Sequence, residues 1–152
     1  MTHDPGRPSS PLLIGPLVLL VVLALAVAVA PAVLMGPSLG DFLLVSLILG
    51  GGAAWLTGKA VARGWGSLLH LLVYCILLAA AVRFAHFALF EDALFEPLTS
   101  LVEVLFLIAI ATLGFRAVRK QQMSVQYGWM FAPSGFLSWR RQAGGSAPEV
   151  AG

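Results

Sequence analysis

Few side chains in this sequence could do chemistry, and they fall in two places. Arg83 and His86 stand in "AAAVRFAHFALF", and Glu103 stands in "LTSLVEVLF". An arginine, an imidazole and a carboxylate among apolar residues could pair as ions, bind a polar ligand or move a proton. His86 follows Arg83 by three residues, so on a helix the two share a face. The second place is "GGGAAWLTGKA", residues 50 to 60, whose glycines and Gly58-Lys59 suggest a phosphate-binding loop. Such a loop reads glycine, four residues, glycine-lysine, then serine or threonine, because backbone N–H groups cradle the phosphates and the hydroxyl holds magnesium. The first glycine falls on Ala53 and the hydroxyl position on Ala60, so the pattern fails twice. No nucleotide site is expected.

The elements that must position these residues follow from composition. The chain has 152 residues, 59% hydrophobic and 11% charged, with a mean hydropathy of +0.93. Soluble domains carry about 25% charged residues. Too little polar surface is available to cover a soluble globule, and the expected solvent is a bilayer. A lone cysteine, Cys75, excludes an intramolecular disulfide, and His3, His70 and His86 are too scattered for a metal set. No metal and no cofactor are expected.

Charges bound the apolar segments. None lies between Arg7 and Asp41, between Asp41 and Lys59, or between Arg63 and Arg83. A spanning helix needs roughly 20 apolar residues. The expected fold is therefore an all-α membrane protein with four transmembrane helices, at about 12–35, 39–58, 67–90 and 97–115. Short connections make consecutive helices antiparallel. Ala28-Val29-Ala30 has the small residues of a signal-peptide cleavage site, but Pro31 follows directly and an uncleaved first helix is expected. The division expected is an N-terminal segment 1–11, a helical domain 12–115, a basic aromatic tail 116–141 and a disordered end 142–152.

Orientation rests on the lysine and arginine bias of membrane proteins. With four spans, every lysine and arginine except Arg83 lies on one side: Arg7, Lys59, Arg63, Arg116, Arg119, Lys120, Arg140 and Arg141. The other side carries Asp41, Glu91, Asp92 and Glu96. Both termini are therefore expected in the cytoplasm.

In this frame the glycine run has a different use. Gly50, Ala54 and Gly58 recur every four residues, and Gly51 and Gly52 broaden the stripe. Small residues at that spacing let a neighbouring helix backbone come close. Packing within the chain and contact with a partner subunit both fit. Arg83 and Glu103 each lie about 10 Å from the outer boundary at 1.5 Å per residue, so antiparallel neighbours bring them level. An Arg83–Glu103 contact is expected, with His86 nearer the outer surface. Buried arginine is costly unless paired or facing water. Snorkelling of Arg83 and capping by Ser100 and Glu103 are the alternatives.

The tail mixes Arg119, Lys120 and Arg140 with Tyr127, Trp129 and Trp139. The helix is expected to run on to about Phe131, with a turn at Pro133-Ser134-Gly135 and "FLSWRR" as a membrane-interface anchor. A docking segment for a cytoplasmic partner is the alternative, since aromatics and arginine favour interface hot spots. Nucleic acid is not an expected partner, because these residues directly follow a membrane span.

Four blocks, "LGGGAAWLTGKA", "LLAAAVRFAHFALF", "LGFRAVRKQQMSVQYGWM" and "PSGFLSWR", appear in order. Over about residues 40–141 the chain resembles an uncharacterised family of small bacterial inner-membrane proteins, often encoded beside branched-chain amino-acid ABC transporter components. The family pattern has three spans, so residues 1–36 depart from it. The resemblance implies an inner-membrane location and an association with amino-acid uptake. The expected function is a non-enzymatic accessory to a transporter assembly, binding a membrane-protein partner or itself. The alternative is a small oligomeric transport or ligand-sensing protein with a polar pocket around Arg83, His86 and Glu103.

Overall fold

The structure is a computed structural model that describes residues 10–31, 39–91 and 96–142. The expected N-terminal segment up to residue 9, the end of the first helix beyond Pro31, Asp92 and the C-terminal residues 143–152 lie outside the described residues. Four helical rods make up most of the chain. α1 is Ser10–Val29. α2 is one continuous rod made of Leu39–Asp41, a π-helix Phe42–Gly50 and an α-helix Gly51–Arg63. α3 is Leu68–Phe90 and α4 is Pro97–Val125.

Three described helices are long and apolar enough to cross a membrane, at Phe42–Arg63, Leu68–Phe90 and Pro97–Val125. Their outward surface agrees with that: Leu44, Ile48, Leu69, Leu77, Phe84 and Leu101 are all exposed. A soluble monomer rarely presents so continuous an apolar surface. The shorter apolar stretch Leu13–Val29 belongs to α1. The helical run from Ser10 is interrupted at Ala30, at the step into Pro31, and the expected continuation to residue 35 lies outside the described residues. Proline restricts the residue before it and removes a donor, so a helix tends to end there.

Boundaries shift elsewhere for readable reasons. α2 continues past Gly58 to Arg63, because Lys59 and Arg63 are good helix formers and the stop signal is Gly64-Trp65-Gly66. That stop is a Schellman turn: the Gly66 N–H donates to Val61 O and the Trp65 N–H to Ala62 O. Trp65 occupies its left-handed position, with φ of 55°. Ser67 then caps α3, its hydroxyl accepting from the His70 N–H. α3 ends at Glu91, also left-handed.

The rods keep a simple register. Ser46 meets Glu103, Gly50 meets Leu107 and Gly58 meets Phe115, so α2 and α4 run parallel at a constant offset. Ser46 also meets His86 and Gly50 meets Val82, so α3 runs antiparallel to α2. The core between these three helices includes Val45, Ala54, Cys75, Leu107 and Ala111. α1 packs chiefly on α4.

The tail departs from an all-helical expectation. α4 stops at Val125, before Phe131, and a two-stranded antiparallel ribbon follows, β1 Phe131–Pro133 with β2 Trp139–Arg141. Pro133-Ser134-Gly135 does turn, within the loop that joins the strands. Phe131 and Leu137 are buried by the fold-back.

Candidate functional site: a buried polar chain and a basic end

The π-helix decides which polar groups meet. Its winding advances side chains less per residue than an α-helix, so Val45 and Gly50, five apart, fall on one buried line with Ser46 beside them. On α3 the buried face includes Leu71, Cys75, Ala79, Val82, Arg83 and His86. On α4 it includes Thr99, Glu103 and Leu107. Where these faces converge, Ser46, His86 and Glu103 form a chain. The Ser46 hydroxyl donates to Glu103 Oε1 at 3.0 Å and lies 2.9 Å from His86 Nε2. A hydroxyl has one proton. Given to Glu103, that proton leaves His86 Nε2–H as the donor to Ser46. His86 Nε2 is also 3.8 Å from Glu103 Oε1.

Burial makes this arrangement matter. Ser46, His86 and Glu103 are 3%, 5% and 5% exposed, and unpaired polar groups at such depth cost several kcal/mol, on the order of 2–7. The donors and acceptors point head to tail, which strengthens each bond.

Arg83 differs from expectation. Its ion pair is with Glu96, N to O 3.5 Å, at the start of α4. Glu103 instead takes Ser46 and His86 as neighbours, with Arg83 acting on it electrostatically. Arg83 and Glu103 both lie on buried helix faces, but the guanidinium reaches outward to the start of α4 while His86, one turn on, takes the place beside Glu103. Ser46 was not singled out in the sequence as a partner of the cluster. A lone serine in an apolar helix carries no spacing signal.

A serine, a histidine and a glutamate in contact invite comparison with acyl-transfer triads. There the imidazole takes the serine proton while the acid holds the opposite ring nitrogen. Here the serine proton goes to the carboxylate, and both polar neighbours sit at Nε2. The contacts therefore differ from that triad, and they link α2, α3 and α4.

The small-residue stripe is used inside the chain. A Cβ on Gly58 would overlap the Ala111 backbone, and one on Gly114 would meet Trp55 O at 2.5 Å. Gly50 lies against Leu107 and Val82, and Gly51 against Phe106. Ala54 is fully buried. Gly52 is apart from this face: it is exposed, with open space around it. Gly114 belongs to the close approach and was missed, because a single glycine in "ATLGFRAV" has no repeat to mark it.

At the other end the basic residues turn inward. Arg116, 2% exposed, donates to Leu137 O at 3.1 Å and lies 5.3 Å from the Trp139 ring. Lys120 donates to Phe136 O at 3.2 Å. Arg119 donates to Gly66 O and stacks on Trp65 at 4.5 Å, while Trp65 meets Tyr127 edge-on. Arginine on an aromatic face contributes about 0.5–2 kcal/mol. Arg119 and Lys120 thus clamp the tail and the α2–α3 turn to α4. Arg140 is exposed, as are Trp129 and Phe136, the last at 89%.

Among the described residues no group of acidic, histidine and cysteine side chains could hold a metal. A family model for a domain of unknown function, DUF6867, matches residues 37–142. No curated protein matches, and no solved structure matches.

Proposed function

The chain belongs to the DUF6867 domain family, and we propose that it is a non-enzymatic accessory protein of the bacterial inner membrane. It crosses the bilayer four times with both termini in the cytoplasm, α1 being the added span. It serves a larger transporter assembly, and the resemblance of its sequence blocks points to branched-chain amino-acid uptake.

One observation carries the docking part of this reading. Trp129, Phe136, Arg140 and Arg141 are all exposed on one short segment, while Arg116 and Lys120 tie its backbone to α4. A rigid base bearing free aromatic and arginine side chains suits a partner's pocket. The glycine stripe no longer supports partner contact, since Gly50, Ala54 and Gly58 pack within the chain. The tail is therefore the proposed docking surface.

Native mass spectrometry from mild detergent tests the proposal. The chain should leave the membrane with a much larger partner, and Trp129→Ala with Phe136→Ser should release it at unchanged expression. Recovery of the wild-type chain alone would overturn the accessory role.

A further inference from the structure

A cavity of about 190 Å³ lies between α1, the π-helix and α4. Its wall is almost wholly apolar: Leu20, Ala24 and Val27 from α1, Phe42 and Leu47 from the π-helix, and Phe106 from α4. Two polar side chains interrupt it, Ser46 and Glu103, each at least nine-tenths buried. Ala24 and Leu47 are exposed, so the cavity opens on the apolar outside of the bundle.

Size and wall chemistry define the occupant. A dry cavity of about 150 Å³ lined by aliphatic and aromatic side chains accepts benzene. This one has room for a body of six to eight carbons, by that scale roughly one ring or one short chain. A carboxylate has about four acceptor positions, and Ser46 takes one of them. The wall therefore offers an acceptor inside an apolar pocket, which favours a ligand carrying one hydrogen-bond donor. Water is a poor match for most of the volume, since the rest of the wall is apolar and offers it no polar partner.

We infer that this cavity binds a small membrane-soluble amphiphile, an apolar body ending in a hydroxyl or amino donor that reaches Glu103. The ligand comes from the bilayer, through the opening beside Ala24 and Leu47. This site is independent of the docking surface: it lies among the helices, away from the tail.

The test uses the full chain in lipid nanodiscs and a short diazirine-bearing alkyl alcohol. Photolabelling mapped by mass spectrometry should concentrate on the Leu20–Val27 and Phe42–Leu47 peptides. Hexan-1-ol should compete at least tenfold better than hexane, each corrected for its partition into the lipid. Ala24→Phe fills the cavity from its rim and should abolish the labelling while the thermal midpoint stays within a few degrees. Should that variant fail to fold, Leu47→Trp tests the opening in the same way. Labelling that is even across lipid-facing positions such as Val18 and Ile48, or unchanged in both variants, would overturn the site. Equal competition by hexane, or labelling by a phospholipid with the diazirine at its chain end, would show a plain acyl occupant and overturn the donor head.

Discussion

Ser46 is the residue on which the buried chain depends. It accepts from His86 and donates to Glu103, so a side chain without a hydroxyl would remove a hydrogen bond from each of two deep groups. Ser46→Ala should destabilise the protein by about 1–3 kcal/mol, the usual cost of stranding a buried partner. The readout is the thermal midpoint in detergent. An unchanged midpoint would show that the chain contributes nothing to packing. Arg83, His86 and Glu103 were legible in the sequence because a charge in an apolar run stands out at once. Their partners were not. Ser46 lies forty residues from His86, and Glu96, the acid that pairs with Arg83, read only as part of a connection.

At the scale of elements, two glycines of one run behave oppositely. Gly58 sits against the Ala111 backbone, which cannot move aside as a side chain can. Gly58→Ala should cost about 1–3 kcal/mol, the range for overpacking. Gly52 has open space, and Gly52→Ala should be neutral or stabilise by about 0.5–1 kcal/mol, since glycine weakens a helix. Size-exclusion profiles and melts of the pair measure both. Equal losses in the two variants would mean that helix propensity, not close approach, governs the run.

The helix ends supply a second contrast. Glu91 is exposed at a left-handed C-cap, and Glu91→Gly should raise stability by about 1 kcal/mol by removing the side-chain penalty there. Trp65 holds the equivalent conformation for a reason, because its ring carries Arg119 and Tyr127. Trp65→Gly should relieve the backbone yet loosen the tail, seen as faster proteolysis after Lys120. The start of α3 and the stop after Phe90 were readable from Ser67 and the following acids. The π-helix was not, since nothing in "FLLVSLILG" separates five-residue winding from four-residue winding; the packing of Gly50 against α3 and α4 is tertiary.

For the whole molecule, the charge bias predicts one side for both ends. A phosphatase fused after Arg141 should be inactive and a cytoplasmic reporter at the same place active; the reverse pattern would refute the proposed topology. Removing residues 131–152 should leave the helices inserted but strip Arg116 and Lys120 of their acceptors. Faster exchange of backbone amides over the last turns of α4 is the expected sign.

Sequence by itself determined the solvent, the helical rods, and the presence of costly polar groups among apolar ones. Each of these follows from composition or from local spacing, which the chain carries wherever it goes. It also argued against a phosphate loop, on two letters. Tertiary structure decided which glycines are in contact, which acid Arg83 meets, that Ser46 joins the cluster, and that the tail folds back as a ribbon. Those outcomes depend on the rotation of each rod about its axis and on contacts between residues distant in the chain. In an apolar solvent nearly every face of a helix is acceptable to its surroundings, so hydrophobicity cannot point to the buried face; close backbone approach and the pairing of polar groups do that instead.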